Sequence, residues 1–119
     1  MVEVIGTDEF RAWFDDLGKT DKKTVIHVVN MLEEAGLTLG FPHSSEIKGS
    51  RYPLPELRPK RGQSPLRVFY AFDPRRQAVL LLGGSKAGDK TFYDRMVPQA
   101  ETVWEAYLTE QAAGLHDEE

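Results

Sequence analysis

Three strand-like runs follow one another between Leu54 and Leu82, joined only by short polar turns. Leu54–Leu57 is interrupted early by Pro55 and left at Pro59, and Lys60-Arg61-Gly62-Gln63-Ser64 turns the chain. Leu66–Phe72 (LRVFYAF) puts Arg67, Phe69 and Ala71 on one face and Leu66, Val68, Tyr70 and Phe72 on the other. Asp73-Pro74-Arg75-Arg76 turns it again. Ala78–Leu82 (AVLLL) is the continuous apolar run of a strand covered on both faces. Parallel neighbours need a long crossover, so these runs predict an antiparallel meander that Gly83 and Gly84 end.

The flanking segments read as support for this meander. Val2–Ile5 predicts a short first strand broken by Gly6. Thr7 is an N-cap, with Asp8 and Glu9 in the first turn, and Phe10, Trp13, Phe14 and Leu17 form one helical stripe stopped by Gly18. A second helix begins near Thr20 or Asp21, carries Val25, Val28, Val29 and Leu32 on one face, leaves His27 off it, and closes at Gly36. Residues 37–53 hold turn signals at Gly40, Pro42, Gly49 and Pro53, with room for a short strand around Glu46–Lys48. After a basic connector over 85–95, Val97, Ala100, Val103, Trp104, Tyr107 and Leu108 predict a last helix, with Glu101 and Glu105 elsewhere on its surface. The order is β-α-α-β-β-β-α, an α+β arrangement with the helices against one sheet face. At 119 residues the chain is expected to be one domain over 1–110, followed by a polar tail over 111–119 that contains His116.

The net charge of −4 hides a partition. Residues 1–40 carry a net −4, residues 41–95 a net +6, and residues 96–119 a net −6. A basic middle between acidic flanks predicts a local site for an anion. Cysteine is absent, which excludes disulfides, thiolate ligands and thiol catalysis. The N-terminus lacks the basic and apolar pattern of a signal peptide, and no apolar run approaches the ~20 residues of a membrane helix. The expected location is the cytoplasm.

Several chemistries fail on spacing. Gly83–Thr91 (GGSKAGDKT) has the look of a P-loop, but Asp89 separates Gly88 from Lys90, where that motif requires lysine directly after glycine. Three scattered histidines have no metal-ligand spacing, so neither metal nor cofactor is expected. Gly83-Gly84-Ser85-Lys86-Ala87 misses the nucleophile elbow at its fifth position. What remains is a sheet bearing cations. Arg58 and Arg67 fall on neighbouring strands, Lys86 and Lys90 follow the third strand, and Tyr93 comes soon after. Arginine clamps phosphate bidentately and lysine adds a point charge, which suits a phosphodiester whose transition state gains negative charge. RNA offers its own 2′-OH as nucleophile, given a base, an acid and cations. His43 is the near-neutral proton carrier nearest this region.

The run Glu56-Leu57-Arg58, Leu66-Arg67-Val68-Phe69-Tyr70, Val79-Leu80-Leu81-Leu82, then Lys86 and Lys90, resembles the HigB-like branch of the RelE/ParE toxins, which includes the phage Gp49-like proteins. The likeness covers residues 2–108 and implies a RelE-like fold. It also implies a type II toxin that cleaves mRNA in the ribosomal A site without a metal, inhibits translation and is neutralised by a small helix-turn-helix antitoxin. Carried over, Arg67 is the central-strand arginine at the scissile phosphate and Arg58 the arginine before it. Lys86 stabilises the transition state, and Tyr93, with Phe92 as rival, stacks on a base or assists proton transfer. Lys48, Arg61 and Lys90 are expected to contact RNA. The general base stays open between His43, Glu56 and Lys48. Gly84-Ser85-Lys86-Ala87 lacks the aromatic and the lysine pair of many relatives. The alternatives are a ParE-like toxin acting on a target such as gyrase, and a non-catalytic relative that binds RNA or protein.

Overall fold

The computed structural model describes residues 1–114; His116 lies outside them. Strand β1 is Val4–Gly6, helix α1 Asp8–Asp15 and helix α2 Lys19–Ala35. Strands β2 (Ser44–Ser45), β3 (Glu56–Leu57), β4 (Leu66–Phe72) and β5 (Ala78–Ser85) follow, and helix α3 is Phe92–Ala112. The five strands form one sheet in the order β1-β5-β4-β3-β2. β3, β4 and β5 are the expected antiparallel meander, and β1 runs parallel to β5 on its far side. β2 adds a short antiparallel edge strand, just before the segment where the sequence leaves room for one.

The helices do not share one face. Phe10, Val25, Val28 and Leu32 from α1 and α2 pack on Leu57, Leu66, Val68, Tyr70, Ala78 and Leu80. Phe92, Met96, Val97, Ala100, Trp104 and Tyr107 from α3 pack on Leu54, Phe69, Ala71, Val79 and Leu81. Helices on both sides follow from β4 itself, because both of its alternating sets, Arg67 apart, are apolar and each needs a cover.

β5 also runs past Leu82 to Ser85. Phe69 pairs with Leu82 while Tyr70 pairs with Leu80, so Leu81 is the extra residue of a bulge. The bulge changes which face the rest of the strand presents. Gly83 then meets Trp13 of α1, where a Cβ would come within 2.3 Å of the indole. Gly84 meets Phe92 and Met96 of α3, where a Cβ would lie 3.0 Å from each. The two glycines therefore do not end the strand; they let aromatic helix side chains lie against it.

α3 starts at Phe92 rather than in the Val97 region, and its apolar side gains Phe92 and Met96. Glu101 is not a solvated acid. It is buried and accepts hydrogen bonds from Ser50 Oγ (3.0 Å) and the Arg51 amide (2.7 Å), tying the β2–β3 loop to α3. The Arg51 amide bond leads several that hold its carboxyl below the usual carboxylate range. No helix among the described residues is long and apolar enough to cross a membrane.

Candidate active site

The β3–β4 register sets Glu56 opposite Phe69, on the face that α3 covers. Arg67 shares that face, two residues along β4. Glu56 and Arg67 are 4% and 3% exposed, yet both are ionisable, so they need partners. Arg67 Nη1 donates to the carbonyls of Ser64 and Leu66, each at 2.7 Å. Its Nε lies 3.8 Å from Glu56 Oε2 and has no hydrogen-bond partner. Glu56 Oε1 accepts a 2.7 Å bond from the Tyr93 hydroxyl in the first turn of α3. Burial, then the bond to Glu56, pushes the Tyr93 phenol up from 10.0 to about 12, against the pull of Arg67.

Arg58 stands just beyond β3 rather than within it. Its Nη1 lies 3.7 Å from Glu56 Oε2, and its Nε donates to the Pro42 carbonyl at 3.2 Å. The following turn is tight. Lys60 and Arg61 both adopt positive φ, at 54° and 57°, which costs two non-glycine residues backbone energy. Gly62, at φ 90°, lets the Arg58 guanidinium lie against it, since a Cβ there would come 2.4 Å from Nη2. Arg61 is exposed on this turn.

Lys86 leaves the end of β5, its amide bonded to the Pro65 carbonyl at 2.9 Å. Its Nζ lies 5.3 Å from the centroid of the Tyr93 ring. The structure thus gathers Arg58, Arg67 and Tyr93 around Glu56 and sets Lys86 over the Tyr93 ring, so the four expected catalytic residues form one linked group. These groups come from β3, its following turn, β4, the end of β5 and the start of α3.

The remaining candidates are placed differently. His43 is joined to the cluster through its carbonyl, which accepts the Arg58 amide at 2.8 Å. Lys90 is exposed on the turn into α3. Lys48 is exposed on the β2–β3 loop, which is clamped to Glu101 and to Glu105, whose carboxylate pairs with Arg51 at 3.0 Å. At 1.5 Å rise per residue, Glu101 is about 12 Å along α3 from Tyr93. No contact joins Lys48 to the cluster among the described residues. Phe92 is buried in the core, which removes it as the stacking aromatic. The basic excess of the middle segment is divided as well: Arg75 and Arg76 lie on the turn at the other end of β4 and β5. A cavity of about 430 Å³ at that end, lined by Asp8, Arg11, Arg75 and Tyr107 among others, includes none of the candidate residues.

The sequence reading passed over Phe41 and gave Gly62 only as part of a polar turn. Phe41 is 75% exposed, and the Arg58 guanidinium carbon lies 5.0 Å from its ring centroid. The available signal was an aromatic between two turn residues, Gly40 and Pro42, in a turn-rich segment.

Residues 12–105 match the family model described as phage derived protein Gp49-like. Among curated proteins, the chain is 39% identical over 113 residues to the Mycobacterium tuberculosis protein "Putative toxin HigB3", covering 93% of this chain and 97% of that one. It is 36% identical over 106 residues to "Putative toxin HigB2" of the same organism, covering 87% of this chain but 53% of that protein. The chain therefore spans about half the length of one relative and nearly all of the other.

Proposed function

The chain belongs to the phage-derived Gp49-like family and is a HigB-like toxin of a toxin–antitoxin pair, and on that premise we propose that it is a metal-independent, ribosome-dependent mRNA endoribonuclease of the cytoplasm. The observation that carries this reading is the convergence of two arginines and a tyrosine on one buried carboxylate, with Lys86 over the ring of that tyrosine.

The chemistry follows from that set. The RNA 2′-oxygen attacks the adjacent phosphorus, the bond to the 5′-oxygen breaks, and a 2′,3′-cyclic phosphate and a 5′-hydroxyl remain. Arg58 and Lys86 hold the non-bridging oxygens as their charge grows. Tyr93 stays protonated at neutral pH, because its phenol is pushed up to about 12. It therefore acts as a relay rather than as a tyrosinate base. The 2′-OH proton passes to the phenol oxygen as the phenol proton passes to Glu56 Oε1 along their 2.7 Å bond. Lys86 supplies the proton that the leaving 5′-oxygen takes up, and solvent restores both groups. Arg67, held by two carbonyls beneath the surface, positions Glu56.

Induced expression in a bacterium should arrest growth and fragment mRNA, and co-expression of the cognate helix-turn-helix antitoxin should relieve both. Arrest with intact transcripts contradicts the nuclease reading. The burial of Glu56 and Arg67 favours one second reading, a structural ion pair beneath a basic surface that binds RNA without cutting it. Salt-sensitive binding without cleavage would identify that case.

A further inference from the structure

The cluster has cations for a phosphate, while its aromatic, Tyr93, is already engaged by its neighbours. Lys86 lies over the Tyr93 ring, and the rings of Phe69 and Phe92 meet it edge-on at 87° and 88°. Its hydroxyl is bonded to Glu56. Tyr93 thus has its hydroxyl taken by Glu56 and its ring in contact with Lys86, Phe69 and Phe92, and Phe92 is in the core.

Phe41 is the one exposed aromatic among the described residues. A lone exposed apolar side chain is ordinary; this one is built into the site. The Gly40 carbonyl accepts the amides of His43 (3.0 Å) and Ser44 (3.1 Å), closing a turn around Phe41. Arg58 fastens the turn twice, through the Pro42 and His43 carbonyls at 3.2 and 2.8 Å. The same guanidinium lies over the Phe41 ring and reaches toward the Glu56 carboxylate. One residue therefore joins an aromatic platform to the phosphate-binding cations.

We propose that Phe41 is a stacking platform for a nucleobase of the bound RNA strand, with Arg58 holding the phosphate beside it. The proposal rests on the endoribonuclease reading and adds a base subsite to it. Arg58 covers one side of the ring, and with 75% of the residue exposed the other side is open to a base. Stacking is tolerant of sequence but favours the larger rings, so purines bind better than pyrimidines here.

The test uses the full chain at low salt and two short single-stranded RNAs that are 2′-O-methylated against cleavage. One carries a 2-aminopurine and the other is abasic at the same position. The wild-type protein should quench the 2-aminopurine. Phe41→Ala should bind that strand on the order of 10-fold more weakly and the abasic strand unchanged. Phe41→Trp should retain both affinity and quenching, and circular dichroism should show all variants folded. The platform is overturned if Phe41→Ala matches wild type on both strands, weakens both equally, or weakens only capture of the antitoxin. If wild type binds neither strand, the platform falls, and the ribosome-dependent endoribonuclease reading is judged separately by cleavage in a translating extract. If wild type binds both and only the Phe41 effect is missing, the platform alone falls.

Discussion

The Tyr93 hydroxyl donates to Glu56 Oε1 at 2.7 Å, joining the first turn of α3 to β3 across 37 positions of sequence. That bond sits where a half-exposed phenol meets a buried carboxylate, and it determines how the site holds protons.

Tyr93 should titrate late. Its folded value is raised from 10.0 to about 12 by burial and by Glu56. The stabilisation linked to it is therefore full below pH 10 and lost as pH rises through about 12. Ultraviolet titration of the folded protein should show a tyrosine step near pH 12 that Tyr93→Phe removes. The activity profile should have no tyrosinate limb between pH 7 and 9.

Glu56 and Arg67 should matter to folding as well as to activity. Removing one partner strands the other charge in the interior, which costs about 3–5 kcal/mol. Arg67→Ala should lower unfolding free energy by that order in a denaturant titration. Lys86→Ala, at a less enclosed position, should stay within about 0.5 kcal/mol of wild type.

Much of this was legible in the sequence because strand periodicity and turn chemistry agree over 54–82. The double cover of the sheet was implied by LRVFYAF, whose two faces are both apolar apart from Arg67. The start of α3 was hidden by Asp94, Arg95 and Pro98, which interrupt the apolar pattern. Yet Phe92, Met96, Ala100 and Trp104 repeat at i+4 and could have extended it. The bulge at Leu81 left no trace in a run of three identical leucines, so the roles of Gly83 and Gly84 were misread. The residue types that meet at the candidate site were legible in the sequence, but the burial of Glu56 and Arg67 depends on α3 covering that face.

Gly83→Ala should test the bulged register. Its methyl would overlap the Trp13 ring, whose nearest atom is 2.3 Å from the Cβ position. A loss of about 1–3 kcal/mol is expected, read by thermal unfolding. Trp13→Ala in the same chain should cancel much of the clash, giving a non-additive double-mutant cycle.

Asp73 anchors the far end of the sheet. Its Oδ1 accepts the Arg75 and Gln77 amides at 2.9 Å, and its Oδ2 accepts the Tyr107 hydroxyl at 2.7 Å. Burial works to raise its pKa, but the bonds from Tyr107, Gln77 and Gln111 prevail and lower it from 3.8. Its stabilisation is present above pH 3.8 and lost as pH falls through the depressed folded value. Asp73→Asn should flatten the acid limb of the stability curve, and Tyr107→Phe should cost about 1 kcal/mol at neutral pH.

The most direct test of the central claim is the chemistry of the cut ends. Purified chain is added to a translating extract programmed with one mRNA, and the products are examined for their termini. The account predicts 2′,3′-cyclic phosphate and 5′-hydroxyl ends within translated codons. Lys86→Ala should abolish them while remaining folded, and Tyr93→Phe should slow them on the order of 100-fold, the scale of losing one proton-transfer group. Intact mRNA in the wild-type reaction, or cleavage by Lys86→Ala at the wild-type rate, would contradict it.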